Sequence, residues 1–317
     1  MQKGRPMLKV MQIAMNTADL AGSLRLYSDV FGFRNALGQA LWGDLIRIQG
    51  LPPSSRALTW WMVGSQSEFQ LELFHHTVPP IRAKADDWRP SDRGWVRFGV
   101  RIDAFDDRLG ALAQQGIGLL APVLGAAGER AAAFRDPYSG VVVHIIEDES
   151  ATTGPVVDYV TSSVSDLDGA RHFYGAIFGL ELSPTEHCQQ SAEDALWNLP
   201  SAAKSRFYAR AGDIRLEIVQ YIDPPGRARP ADYRIGDQGI PNVGLGADDV
   251  AEAAAIFDRL ASIGIMPPHI IKGDGMLAGY VTEAEREIEL FALPAKFLPA
   301  IGYAAGPPFL NDAFTKS

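Results

Sequence analysis

Two hydrophobic rhythms alternate along this chain. In "VMQIAMN", Met11, Ile13 and Met15 fall on one side while Gln12, Ala14 and Asn16 fall on the other, the pattern of a strand with one apolar face. A helix follows, and then three short strand-like runs that end in "FQLELF". The order then restarts with a strand at "WVRFGVRI", a helix around "DDRLGALAQQGI", whose apolar residues recur three and four apart, and a closing strand "GVVVHII". "VVDYVTSSV", "RLEIV", "NVGLG", "DDVAEAAAIFDRLASIGI" and "EIELF" occupy the same places further on. The pattern predicts an α+β chain of four βαβββ modules.

The second half repeats the first. Asp166-Leu167 repeats Asp19-Leu20 at an offset of 147, and Pro224 and Glu217 repeat Pro79 and Glu72 at an offset of 145. The halves are 1–150 and 155–317, two modules each, joined by the polar segment "EDESATTGP", which reads as a linker. Residues kept in both copies, such as Trp88/Tyr233, Arg89/Arg234 and Asp92/Asp237 in the connecting loops, read as structural, with Arg89 and Asp92 forming a loop ion pair or turn. Positions that differ, above all Gln12 against Tyr159, are where the copies have parted in function.

Composition narrows the partners. The 317 residues carry a formal charge of -9, which repels a phosphate backbone and points away from nucleic acid toward small molecules. One cysteine, Cys188, excludes an internal disulfide framework and a cysteine-based zinc cluster. No segment reaches the ~18 apolar residues of a membrane span, so no membrane partner and a cytoplasmic location are expected. There is no G-x-S-x-G, H-E-x-x-H or P-loop, and "GIGLLA" follows a helix and precedes a strand, the reverse of a dinucleotide site.

The fourfold pattern, with its "D-L" helix starts, its "FG" runs and its "LELF" and "IELF" closing strands, resembles the vicinal oxygen chelate superfamily, which includes glyoxalase I, extradiol ring-cleavage dioxygenases, methylmalonyl-CoA epimerase and bleomycin-resistance proteins. The resemblance implies tandem glyoxalase-like domains with curved, half-barrel mixed sheets, each pair of modules enclosing a trough. It also implies a divalent metal in a trough, held from the first and last strands of modules. The first-strand positions fall on Gln12, Arg97, Tyr159 and Asn242, and the last-strand positions on Glu72, His144, Glu217 and Glu289. The usual histidine ligands are absent, which argues against iron-dependent ring cleavage: the iron positions of the dioxygenases read Tyr159, Asn242 and Glu289.

Which four positions converge depends on how the modules pair. A tandem chain favours sequential pairing, with Gln12, Glu72, Arg97 and His144 in one trough and Tyr159, Glu217, Asn242 and Glu289 in the other. Arg97 would then partner a buried Glu72, and Arg101 would add a second cation on the same strand face. Pairing of modules one and four instead collects Gln12, Glu72, Asn242 and Glu289 as a metal set, leaving Arg97, His144, Tyr159 and Glu217 as an acid–base set. Manganese, magnesium, zinc or iron stays open as a cofactor.

Among the other histidines, His76 shares the Glu72 face, while His75, His172, His187 and His269 lack partners in the sequence. Trp42, Trp60, Trp61, Trp88 and Trp95 crowd the first half, and a trough lined by some of them would suit a flat oxygenated ligand.

The functional expectation is an enzyme acting on a small oxygenated, aromatic or carbonyl-bearing metabolite. Glu289 or Glu72 would be the base, with His144 and Tyr159 as further acid–base groups. Arg97, Arg101, Gln12, Asn242 and Glu217 would line the substrate. The alternative is a metal-free sequestering protein like the bleomycin-resistance members. Family members self-associate, which leaves a homodimer open.

Overall fold

The computed structural model describes residues 8–309. Module one comprises β1 (Lys9–Asn16), α1 (Leu20–Arg25), β2 (Arg34–Leu41), β3 (Arg56–Val63) and β4 (Gln70–Val78). Module two has β5 (Gly94–Ile102), α2 (Phe105–Gln114), β6 (Ala131–Arg135) and β7 (Val142–Glu147). Its expected remaining strand is reduced to isolated bridges at Leu119 and Leu124. Module three runs through β8 (Val156–Ser163), α3 (Leu167–His172), β9 (Glu181–Leu182), β10 (Glu186–Gln189), the short α4 (Ala192–Ala195), β11 (Ala203–Ala211) and β12 (Ile214–Asp223). Module four has β13 (Asn242–Ala247), α5 (Val250–Ser262), β14 (Ile270–Gly273), β15 (Met276–Glu283) and β16 (Arg286–Ala292).

The recurring "D-L" pair marks helix starts. Asp19 and Asp166 are N-caps whose carboxylates accept from the backbone N–H of Gly22 (2.9 Å) and Gly169 (3.0 Å), satisfying donors that the first helical turn leaves open. Asp249 caps α5 in the same way, through Glu252 N at 2.8 Å.

The sheets do not follow the sequential pairing. One sheet has the order β14-β15-β16-β13-β1-β4-β3-β2 and the other β10-β11-β12-β8-β5-β7-β6, so modules one and four form one half-barrel pair and modules two and three the other. Each sheet therefore draws one module from each half of the sequence. The cause lies in the first strands: each pairs in parallel with the last strand of its own module and offers its other edge to the first strand of another. The short segment between β7 and β8 lays β8 antiparallel on β5, with Gly99 opposite Tyr159. That segment is not a loose tether. Pro155 O accepts from Ser65 N (3.1 Å), and Gln66 exchanges two hydrogen bonds with Val157. The apolar sheet faces and the helices share one continuous core that includes Ile13, Tyr27, Phe98, Val160, Tyr174, Val243 and Phe257.

The two long connections, 79–93 and 224–241, embrace reciprocally. Arg82 pairs with Asp237 (2.5 Å) and Asp232 (2.5 Å), and its repeat equivalent Arg227 pairs with Asp92 (2.6 Å) and Asp87 (2.6 Å). The expected Arg89–Asp92 pair is present at 3.3 Å, as is its copy Arg234–Asp237. Asp92 is buried and gathers donors from both loops. Asp92→Ala is expected to cost about 2 kcal/mol, seen as a lower urea midpoint at unchanged slope.

Candidate functional site

The first trough lies on the sheet of modules one and four. Gln12 on β1 sits across from Gln70 on β4 and Gly244 on β13, and Gly244 in turn sits across from Glu289 on β16. A Cβ at Gly244 would come within 2.8 Å of the Gln12 Cβ, so glycine lets the two halves of the site close up. Glu72 accepts from Trp61 Nε1 (2.9 Å) and Thr59 Oγ1 (3.1 Å) on one oxygen and from the Gln12 amide on the other. Asn242 donates to the Tyr280 hydroxyl at 3.1 Å, and its Oδ1 is buried without a partner.

Burial and the neighbouring Glu289 charge push the Glu72 carboxyl well above the carboxylate range, although its three donors oppose the shift. Burial raises Glu289 to about 7, with the Tyr280 hydroxyl pulling against it. Glu289 keeps partial solvent access. The mouth is covered by two 3₁₀ segments, Leu45–Gln49 and Ala295–Ile301. Ile48, Leu298 and Tyr303 pack on Met11, Ala278 and Phe291. Gln70, with its amide nitrogen turned to the chain's end, donates to Gly302 O (2.7 Å) and Ile301 O (3.1 Å).

These residues fit a hard divalent cation. Burial and the Glu289 charge raise Glu72, burial raises Glu289, no cationic side chain among the described residues pairs with either, and Asn242, bonded to Tyr280, carries a buried amide oxygen with no partner among those residues. The donor set of Gln12, Glu72, Asn242 and Glu289 is all oxygen, which suits magnesium or manganese and lacks the imidazole or thiolate that favours zinc or iron.

The second trough, on modules two and three, holds the same four repeat positions with other occupants. Arg97 stands where Asn242 stands in the first and is fully buried. It pairs with Glu217 (2.6 Å), donates to Tyr221 (3.1 Å) and lies over the Trp197 ring. Glu217 also accepts from Thr161 (2.6 Å) and Arg206 (3.0 Å). Burial alone would raise Glu217, but the charges of Arg97 and Lys204 hold it at about 2. His144 Nδ1 bonds the Tyr159 hydroxyl at 2.7 Å, and its Nε2 is buried and unpartnered. Burial lowers His144 to about 4 and lifts Tyr159 well above the ordinary phenol, so the pair is neutral at pH 7. A cavity of about 270 Å³ opens here, lined by His144, Tyr159, Glu193, Arg206, Arg215 and Glu217 among others.

Several expectations are corrected. Arg97 does not partner Glu72, because the two lie on different sheets. Tyr159 does not share a trough with Asn242 and Glu289, for the same reason. Arg101 does not line the cavity; it is part-exposed and paired with Asp158 (3.2 Å), which is on the cavity wall, and with Asp148 (3.9 Å). His76 is buried under the second connecting loop against Phe74 and Gly236. His75 bonds Thr17 O, His187 bonds Ser205, and His172 is exposed. Of the tryptophans, Trp61 reaches the first trough, Trp42 is exposed, and Trp197 of the second half walls the second trough.

Sequence reasoning missed Tyr280, Thr59 and Arg206: Tyr280 pairs with Glu289 across β15 and β16, whereas Thr59 and Arg206 stand opposite Phe74 and Val219 and reach Glu72 and Glu217 diagonally. It also missed Tyr303, which follows the last strand and has no repeat partner to announce it.

Residues 156–296 match the family described as Glyoxalase/Bleomycin resistance protein/Dioxygenase superfamily. The fold is similar to that of glyoxalase I from Zea mays, with a TM-score of 0.58 and 15% identity over 90% of this chain and 93% of that one. It is equally similar to a candidate dioxygenase from Bacillus subtilis subsp. subtilis str. 168, with a TM-score of 0.58 and 14% identity over 99% and 95%. No curated protein matches the chain by sequence. No helix among the described residues is long and apolar enough to cross a membrane.

Proposed function

From the match of residues 156–296 to the glyoxalase/bleomycin resistance/dioxygenase superfamily and a fold similar to that of glyoxalase I over both halves, we propose that this chain is a four-module member of that superfamily and an enzyme of the isomerase or lyase type. It would move a proton on a small carbonyl-bearing metabolite in the trough of modules one and four. The carrying observation is the contrast between the copies: Glu217 is neutralised by Arg97 and Arg206, whereas no cationic side chain among the described residues pairs with Glu72 or Glu289.

Gln12, Glu72, Asn242 and Glu289 would hold a divalent cation, which supplies positive charge for an enolate oxygen. The value of about 7 belongs to the cation-free site; with a cation held Glu289 would be ionised, and as a carboxylate it would take and return the substrate's proton. Tyr280 holds its proton and orients Glu289, burial and the Glu289 charge having raised its phenol well above the ordinary value. Trp61 and Thr59 fix Glu72, and the 295–303 segment packs on Met11, Ala278 and Phe291 beside the trough.

Manganese titration by calorimetry tests this reading. One site per chain is expected, with proton release at pH 6 as the raised carboxyls ionise. Glu72→Gln should remove the site and His144→Ala should spare it. No saturable site, or loss with His144→Ala alone, would place the chemistry elsewhere.

The open cavity of modules two and three, whose Arg206 and Arg215 are paired with Glu193, Glu217 and Asp158, favours a second reading, a metal-free trough that sequesters a small polar ligand without turnover. A ligand retained after Glu72→Gln but lost after Arg206→Gln would support it.

A further inference from the structure

The reciprocal embrace of the two connecting loops encloses a cavity of about 430 Å³, within the ~300–1,000 Å³ range of small-molecule sites. It belongs to neither trough. Its two halves are related by the repeat, and the relation is broken at one place.

In the second half, Arg229 lies 4.2 Å over the Tyr233 ring and forms a two-oxygen pair with Glu287 (2.7 and 2.8 Å). Cation, ring and carboxylate form a closed set. In the first half, the same offset of 145 gives Lys84 for Arg229, Trp88 for Tyr233 and Val142 for Glu287. Lys84 Nζ lies 3.6 Å over the Trp88 ring, but the carboxylate is missing. Among the described residues Lys84 makes no ion pair; its recorded polar bond is from its backbone N–H to Gln238 (2.8 Å).

The charges that act on Lys84 confirm the imbalance. Burial lowers its ammonium to about 7, Arg135 and Arg229 add repulsion, and the opposing carboxylate, Asp92, is already bound by Arg227 and Arg89. The other cations on the cavity wall are matched: Arg82 by Asp232 and Asp237, Arg227 by Asp87 and Asp92, Arg93 by Glu285. One uncompensated ammonium remains, in a space walled by Trp88, Trp95, Tyr233 and Ile240.

We propose that this cavity is a binding site for a small planar monocarboxylate, its carboxylate paired with Lys84 and its body packed among the aromatic walls. A single unmatched cation fits one negative charge, and apolar walls fit a hydrocarbon body better than a phosphate, which would need several donors. The site is independent of the proposed reaction and of any metal. Trp88 and Tyr233, kept in both copies as structural loop residues, thereby acquire a second role.

Calorimetric titration with benzoate, alongside inorganic phosphate, tests the assignment in the full-length protein. We expect one saturable benzoate site per chain, weakening as pH rises from 6 to 9 while the ammonium loses its proton. Lys84→Gln should weaken it tenfold or more. Lys84→Arg should retain binding and lose the pH dependence, which separates lost charge from a damaged loop. The proposal is overturned if benzoate does not bind, if phosphate binds more tightly, if the wild-type affinity is flat with pH, or if Arg206→Gln in the second trough abolishes binding while Lys84→Gln does not.

Discussion

Glu289→Gln should make the protein more stable at neutral and alkaline pH while removing its proposed chemistry. The Glu289 carboxyl, ordinarily near 4.5, is raised to about 7 in the fold, chiefly by burial. An unfolded chain gives up this proton near 4.5, whereas the folded one keeps it until about 7. Between those values the native state binds more protons, so stability falls as pH rises, and the loss is complete above about 7. The raised pKa corresponds to a cost on the order of 3 kcal/mol. An uncharged glutamine does not incur it, and its presence also relieves Glu72 of a neighbouring negative charge.

Thermal melts should therefore show wild type and variant alike below pH 4.5 and diverging by roughly 5 °C above pH 7. Manganese affinity should fall at least tenfold. A melting difference that is flat from pH 4 to 9 would show that the carboxyl is not perturbed. Such a gain on removal of a site residue is the usual relation between stability and activity.

Arg97→Met should have the opposite sign and the larger magnitude. Arg97 is wholly buried, and removing it leaves Glu217 with only the Arg206 contact at 3.0 Å and the nearby Lys204 for compensation. Loss of one partner from a buried pair costs about 3–5 kcal/mol, because the remaining charge is stranded. Guanidinium denaturation should show this as a lower midpoint. Adding Glu217→Gln should recover much of the loss, since the stranded charge is then gone. A single variant as stable as wild type, or a double variant no better than the single, would mean that the pair does not hold the second trough together.

The repeat, the four modules and the strand and helix types were legible in the sequence because periodicity is a local property. The face alternation of "MQIAMN" put Gln12 on the trough side of β1, but a register shift between Val10 and Gln12 brings Met11 to that side too, against Ala278 and Phe291 and away from Ile13 and Met15. Module pairing was not legible, because it depends on which free strand edge meets which, and "EDESATTGP" reads equally well as a tether or as a tight connection. That one choice moved Arg97 from Glu72 to Glu217 and Asn242 from Tyr159 to Gln12. Tyr303 and the covering 295–303 segment lay beyond the repeat and had no periodic signal at all.

The crossed pairing of modules also sets an order of assembly. The sheet of modules two and three draws only on residues 94–223, so all its strands are available well before the chain is complete. The sheet of the proposed reaction trough joins residues 9–78 to residues 242–292, across nearly the whole chain, and such long-range closure is slow. Until module four emerges from the ribosome, β1 carries a bare edge with an apolar face, an open invitation to wrong partners. The half that carries the neutralised Glu217 would thus serve as the template on which the half of the proposed reaction is completed last.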